Sequence, residues 1–186
     1  METAESQAYR LMVRAIHGTL RNAQEGEIPL FAWTLGLTQP AYQAMLAQCL
    51  PDLTEVPLSA QQHAELGHNT PPDFALLAQL LYSHRSPDAD PLHADWLARA
   101  IAASCFGNRH LWQDLELSGR DDVSSLMRGY FASLHELNGQ SLKWKHFLFM
   151  ELGLQRGQPG LRPPNCERCD NYSLCFPPRR VERCMK

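Results

Sequence analysis

Apolar side chains recur at intervals of three and four residues along most of the chain, a spacing that places them on one face of an α-helix. In residues 7–23 the apolar positions on that face are Tyr9, Leu11, Met12, Ile16 and Leu20. The same spacing, with Pro and Gly between the segments, predicts further helices over residues 38–50, 72–84, 92–106, 118–134 and 142–156. We therefore expect an all-α single domain of about six to eight helices with little strand.

Two segments lack a clear helical period. Residues 28–37, IPLFAWTLGL, form a short apolar run that fits either a buried extended piece or a helical turn. Residues 51–72 contain four prolines and are predicted to be loop-rich. By contrast, residues 92–106 are apolar and rich in Ala, so we expect that helix to lie at the centre of the fold.

The end of the chain breaks the helical pattern and concentrates cysteine. Four thiols follow the spacing C-x2-C-x5-C-x8-C, at Cys166, Cys169, Cys175 and Cys184. The sequence thus predicts a helical domain over residues 1–157 and an irregular cysteine-rich tail over 158–186. Cysteines that are buried for packing behave as isolated small hydrophobes. A cluster of this kind instead indicates disulfides, a zinc site or an iron–sulfur site.

The expected cellular compartment helps to choose among disulfides, a zinc site and an iron–sulfur site. The first residues are acidic and have no apolar core of a secretory signal, and no run approaches the roughly 18 apolar residues of a membrane helix. We therefore expect a cytoplasmic protein with no membrane contact, in a reducing setting that disfavours disulfides. Metal or cluster binding is then favoured over a redox dithiol at Cys166 and Cys169, whose Pro/Asn surroundings are not those of a redox motif.

The spacing does not decide between zinc and iron–sulfur. Zinc sites often use two CxxC pairs, or one pair with two distant His, whereas this tail has one CxxC and no His after it. Iron–sulfur clusters also use cysteines at short, irregular gaps. The chain has no H-E-x-x-H, no G-x-S-x-G and no Gly-rich phosphate loop, so it carries none of these catalytic or phosphate-binding motifs.

Charge is distributed unevenly along the chain, whose formal net charge is -3. Residues 1–142 carry 8 Lys/Arg and 16 Asp/Glu, whereas residues 143–186 carry 9 Lys/Arg and 4 Asp/Glu. A basic segment on an acidic body attracts anions or acidic partners. Cations close to the cysteines also favour the thiolate, which is the form that binds metal. The arginines that interleave with the cysteines are Arg162, Arg168, Arg179, Arg180 and Arg183.

Two further segments combine polar and aromatic groups. Residues 108–115, NRHLWQDL, offer His110 as an imidazole metal ligand, although a helix–helix corner in which His110 and Asp114 satisfy backbone groups and Trp112 lies in the core is the simpler explanation. Residues 143–146, KWKH, open the helix that leads to the cysteines. There an amphipathic helix, with Trp144 and Phe147 inward and Lys143 and His146 outward, is the simpler explanation.

Four blocks of the chain resemble the nitrogen-fixation protein NifQ family. They are LFAWTLGL at 30–37, WLARAIAASCFGNRHLWQDL at 96–115, LKWKHFLFMEL at 142–152 and PNCERCDNYSLCF at 164–176. The resemblance implies a metal donor rather than an enzyme: a carrier of an iron–sulfur cluster that includes molybdenum, which supplies the metal for the iron–molybdenum cofactor of nitrogenase. The implied partners are molybdate or a molybdenum cluster and the proteins of cofactor assembly, and not nucleic acid.

The chain departs from the pattern C-x4-C-x2-C-x5-C that this family implies. The last three cysteines fall on Cys166, Cys169 and Cys175, but the first falls on Leu161, and a further family cysteine falls on Gly153.

Three interpretations follow from that departure. We predict that Cys184 supplies the fourth thiolate in place of Leu161, because the eight residues after Cys175 can fold it back. Alternatively, three thiolates hold iron and leave a corner for molybdenum that His110 meets, or the fold survives without its cluster. A zinc-stapled helical interaction module is the alternative from another functional class.

Overall fold

A computed structural model describes residues 4–51, 58–168 and 172–177, with the side chains described from residue 7 onward. These ranges contain helices and no strand, which confirms the all-α prediction. The α-helices are α1 Ala4–Gln24, α2 Gln39–Cys49, α3 Ala60–His68, α4 Pro72–Ser83, α5 Pro91–Ser104, α6 Leu111–Asp114, α7 Arg120–Tyr130, α8 Ala132–Leu137, α9 Trp144–Gln155 and α10 Tyr172–Cys175. Two short 3-10 segments span Leu30–Thr34 and Cys166–Arg168.

Helix α5 lies at the centre, as its composition predicts. Its fully buried residues include five alanines, Ala94, Ala98, Ala100, Ala102 and Ala103. Small side chains let neighbouring backbones approach closely, and both α1 and α4 pack on α5. Helix α9 packs on α4 and buries Phe147, Phe149 and Leu152. The first turn of α9 therefore lies beside the segment that follows α5.

Helix α3 corrects the prediction of a loop over residues 51–72. Its start is a capping box: the Ser59 hydroxyl accepts from the Gln62 N–H at 3.2 Å, and the Gln62 side chain accepts from the Ser59 N–H at 3.0 Å. Such a box satisfies two backbone donors that a helix end otherwise leaves unpaired. None of the residues of α3 is buried, so the helix has no apolar stripe that periodicity could detect.

Three other segments differ in detail from the prediction. The predicted helix over 118–134 is two helices, because Phe131 leaves helical geometry at φ -138°, ψ 54°. The apolar run at 28–37 forms a 3-10 segment at Leu30–Thr34. Short helices α6 and α8, together with α3, raise the number of α-helices before residue 157 to nine in the described part of the chain, above the six to eight predicted.

No helix in the described ranges is long and apolar enough to cross a membrane. The division into a domain over 1–157 and a tail over 158–186 stays a prediction, because most of the segment after residue 168 lies outside the described residues.

Candidate functional site

A sharp corner at residues 105–115 connects α5 to α6. Gly107 stands where a side chain has no room: a Cβ there would lie 2.3 Å from Oδ2 of Asp114. At the start of α6, the backbone N–H of His110 donates to the side-chain oxygen of Gln113 at 3.0 Å. This bond satisfies the His110 N–H through the side chain of Gln113, and not through the His110 or Asp114 side chains that the simpler explanation of this segment named.

Asp114 is the electrostatic centre of the corner. Its side chain is 0% exposed and accepts from Nζ of Lys145 at 2.6 Å and from Nε of Arg109 at 3.0 Å. Nζ of Lys145 also donates to the Gly107 carbonyl at 3.1 Å, and Arg109 donates to the side chain of Asn22 on α1 at 2.8 Å. A buried carboxylate persists only when it is paired and hydrogen-bonded in this way. The network therefore fixes α1, the corner and the first turn of α9 relative to one another.

A cleft of about 300 Å³ opens between this corner and the start of the tail. Its walls are formed by residues 107–112, Arg120, Val123, 143–146, 163–166 and Cys175. The three segments that the sequence analysis singled out separately thus border one space. Cys166 and Cys175 line it together with His110 and with the first turn of α9.

The described residues that line the cleft include four cationic side chains and no carboxylate: Arg109, Arg120, Lys143 and Lys145. Arg120 donates to the carbonyls of Ser141 and Leu142, the latter at 2.8 Å, and no described carboxylate pairs with it. The ammonium of Lys143 has no partner among the described residues. Because Asp114 offsets part of the charge of Lys145 and Arg109, the lining retains a net positive charge that favours anionic ligands and thiolates.

The two cysteines of the cleft differ from the two cysteines of the helical body. Cys166 begins a 3-10 turn and Cys175 ends α10, and both are partly exposed. Burial instead raises the pKa of the Cys105 thiol to about 12 and that of the Cys49 thiol to about 11. These two thiols are protonated at neutral pH and are poor metal ligands.

His146 is the second imidazole in the cleft wall. Burial lowers its pKa below the usual range, and the nearby Arg162 guanidinium lowers it further. His146 is therefore neutral at physiological pH, the form in which an imidazole accepts a proton or binds a metal. The sequence predicts an outward, solvent-exposed His146, whereas in the structure its side chain is partly buried.

Within residues 4–51, 58–168 and 172–177, no three His, Cys, Asp or Glu side chains lie close enough together to hold one metal ion. Cys169 and Cys184 lie outside the described residues. The described part of the cleft lining contains two thiols, Cys166 and Cys175, and two imidazoles, His110 and His146.

Leu161 and Gly153, the two positions where the implied pattern has cysteine, lie against each other. A Cβ on Gly153 would stand 2.9 Å from Cβ of Leu161 and 2.6 Å from the Gln158 carbonyl oxygen. Leu161 packs against the hydrophobic core and is not among the described residues that line the cleft. Neither position therefore offers a substitute ligand to the cleft.

Sequence reasoning did not find the Lys145–Asp114 pair or the part that Arg120 takes in the cleft. The side chain of Lys145 is only 11% exposed, a burial that its spacing on α9 does not indicate. Asp114 stands between Gln113 and Leu115, a local pattern that does not distinguish it from an exposed acid.

The family model and the similar known proteins all point to the same family. The sequence model of the NifQ family matches residues 15–177. Protein NifQ of Azotobacter vinelandii is 29% identical over 169 residues, covering 84% of this chain and 84% of that protein. Protein NifQ of Klebsiella pneumoniae is 31% identical over 164 residues, which cover 84% of this chain and 92% of that protein. Protein NifQ of Rhodobacter capsulatus is 30% identical over 159 residues, which cover 86% of this chain and 84% of that protein. No solved structure matches the chain.

Proposed function

Because the chain belongs to the NifQ family, we propose that it carries molybdenum together with an iron–sulfur cluster to the assembly of the iron–molybdenum cofactor of nitrogenase. In this role it is an accessory protein that delivers a metal, and it does not turn over a substrate. The cleft between α6, α9 and the cysteine segment is where the cargo is held.

The observation that carries the proposal is that Cys166 and Cys175 line one cleft although they stand on separate short helical segments. Thiolates suit iron and iron–sulfur units, and the cationic lining lowers the cost of an anionic cargo. Cys169, between them in sequence, is the third proposed thiolate and lies outside the described residues.

His110 is the proposed nitrogen ligand for molybdenum. It shares the cleft wall with both thiols, which supports the interpretation that three thiolates hold iron and one corner of the cluster is left for molybdenum. Leu161 packs on the core and does not compete for that corner. Cys184 is the proposed fourth thiolate under the other interpretation, and it too lies outside the described residues.

The lining also suggests how the cargo is recognised. Arg120 and Lys143 have no carboxylate partner among the described residues, so they complement molybdate or a negatively charged cluster core. Carboxylates are absent from the described lining, and one there would repel such cargo. The partners we propose are accordingly a molybdenum source and the proteins that assemble the cofactor.

Anaerobic purification followed by analysis of iron, sulfide, molybdenum and zinc tests the proposal. A brown protein with iron and sulfide, which gains molybdenum when molybdate is supplied during growth, is the expected result. A colourless protein that holds zinc alone would identify a zinc-stapled module instead. A chain that binds none of these metals, even after reconstitution with iron and sulfide, would be a family member that has lost the cluster.

A further inference from the structure

The segment that carries Cys175 is attached to the helical body through an aromatic contact beside the cysteine. The Phe176 ring centroid lies 4.5 Å from that of His146 on α9 and 5.2 Å from that of Tyr172. The guanidinium carbon of Arg162 stands over Phe176 at 4.5 Å from the ring centroid. Phe176 is therefore enclosed by a cation and two rings, an arrangement that attracts through the ring quadrupole as well as through burial.

A hydrogen bond joins the two ends of the cysteine segment. Arg162, four residues before Cys166, donates through NH1 to the Tyr172 hydroxyl at 2.6 Å. Tyr172 begins the short helix that ends at Cys175. Arg162, which precedes the cysteine segment, is thus connected directly to Tyr172, three residues before Cys175.

The first end of the segment has its own attachment to the body. Asn165 adopts a left-handed conformation at φ 63°, and its side-chain amide donates to the Phe106 carbonyl at 3.4 Å. Pro163 beside it is buried. Cys166 is consequently held against the end of α5, while Phe176 holds the other end against α9.

None of these contacts uses a sulfur atom or a metal. In small structural zinc sites the metal supplies the folding energy, and the ligands separate when it leaves. In this chain, rings, a guanidinium and a backbone carbonyl fix both ends of the segment.

We propose that Arg162 and Phe176 are positioning residues that hold Cys175 at the cleft by clamping the end of the cysteine segment onto His146 of α9, whether or not cargo is bound. The inference rests on the proposed function in so far as Cys175 is taken to be a ligand. The clamp gives a carrier a site that keeps its shape after the cargo has left. It also raises the affinity for cargo, because less of the chain must be ordered on binding.

Hydrogen exchange of the metal-free, full-length protein tests the clamp itself. The N–H of Phe176 donates to the Tyr172 carbonyl at 2.8 Å, and this bond is expected to open more often once the ring is removed. For Phe176→Ala we expect exchange of the 172–176 amides to accelerate about tenfold. Phe176→Tyr keeps the ring and is expected to restore wild-type exchange. Leu174→Ala, at a neighbouring side chain that is 73% exposed, is the matched control and is expected to leave exchange unchanged.

Binding of Co²⁺ to the reduced protein tests the positioning of the thiol. The apparent affinity of a site falls by the fraction of molecules in which it is formed, so Phe176→Ala and Arg162→Ala are expected to weaken Co²⁺ binding about tenfold. Arg162→Lys keeps the charge but not the planar group, and we expect it to rescue binding only in part. Leu174→Ala removes an exposed side chain without changing any charge, and we expect it to bind Co²⁺ as the wild type does.

Two results would overturn the proposal. One is exchange of the 172–176 amides in the wild type that is as fast as in Phe176→Ala. The other is Co²⁺ affinity that is the same in wild type, Phe176→Ala and Arg162→Ala. If the wild type binds neither Co²⁺ nor iron, the cargo role of Cys175 is wrong, and hydrogen exchange still decides whether the clamp exists.

Discussion

Nζ of Lys145 lies 2.6 Å from Oδ2 of Asp114, whose side chain is 0% exposed. The pair joins the first turn of α9 to the corner after α5, and these two elements form adjacent walls of the cleft. The shape of the cleft therefore depends on an ion pair that also contributes to folding.

Replacement of Lys145 should destabilise the protein strongly. In Lys145→Met the buried Asp114 keeps only Arg109 as a cationic partner, and removal of one member of a buried pair leaves a charge poorly compensated. We expect a loss of about 3 kcal/mol in the free energy of unfolding, measured by urea denaturation. Lys143→Met, two residues earlier and without a partner in the described structure, is expected to change stability by less than about 0.5 kcal/mol. Equal losses in the two variants would contradict this account.

The cysteines of the cleft should determine iron content without determining the fold. In Cys166→Ala, Cys169→Ala and Cys175→Ala, we expect iron per chain to be abolished or sharply reduced, because each removes a thiolate ligand. Circular dichroism should show an intact helical body, since Cys166 and Cys175 are outside the core. Cys49→Ala removes a thiol outside the cleft and is expected to keep its iron. Iron content unchanged in all three variants would mean that the site is elsewhere.

Cys184 and His110 allow the two ligand sets to be distinguished. If His110 meets molybdenum, His110→Ala retains iron and loses molybdenum, while Cys184→Ser retains both. We expect this outcome, because His110 lines the cleft with Cys166 and Cys175. If Cys184→Ser instead loses the cluster and His110→Ala keeps molybdenum, the fourth ligand is the thiolate. Metal analysis of both variants, purified anaerobically in parallel, decides between them.

His146 should titrate below the usual range for histidine. Burial lowers its pKa and Arg162 lowers it further, whereas in the unfolded chain it titrates near about 6.5. As the pH falls below that value, the unfolded chain takes up a proton before the folded chain does. The contribution of His146 to stability is thus present above about 6.5 and is lost as the pH falls through the folded pKa.

Imidazole resonances in NMR spectra provide the measurement. Arg162→Ala removes the second cause of the shift, so the pKa of His146 should move up toward, but not reach, its usual value. Arg168→Ala should leave it unchanged. A His146 that titrates at the same pH in wild type and Arg162→Ala would show that the guanidinium does not act on it.

Helical periodicity predicted α1, α2, α4, α5 and α9 because each has a buried stripe that leaves a repeating trace in the sequence. Helix α3 was missed because its stabilising feature is a local capping box around Ser59 and none of its residues is buried. The convergence of Cys166, Cys175 and His110 could not be predicted, since it depends on how α9 packs. That packing depends on contacts such as Lys145 to Asp114, 31 residues apart, which no local pattern contains.

The contact between Gly153 and Leu161 limits which side chains the backbone tolerates here. A side chain at 153 would place its Cβ 2.6 Å from the Gln158 carbonyl oxygen and 2.9 Å from Cβ of Leu161. A smaller residue at 161 relieves neither contact, because every residue except glycine keeps that Cβ and the carbonyl belongs to the backbone. A cysteine at 153 therefore requires the backbone of residues 158–161 to shift, whereas a cysteine at 161 replaces a larger side chain without such a shift.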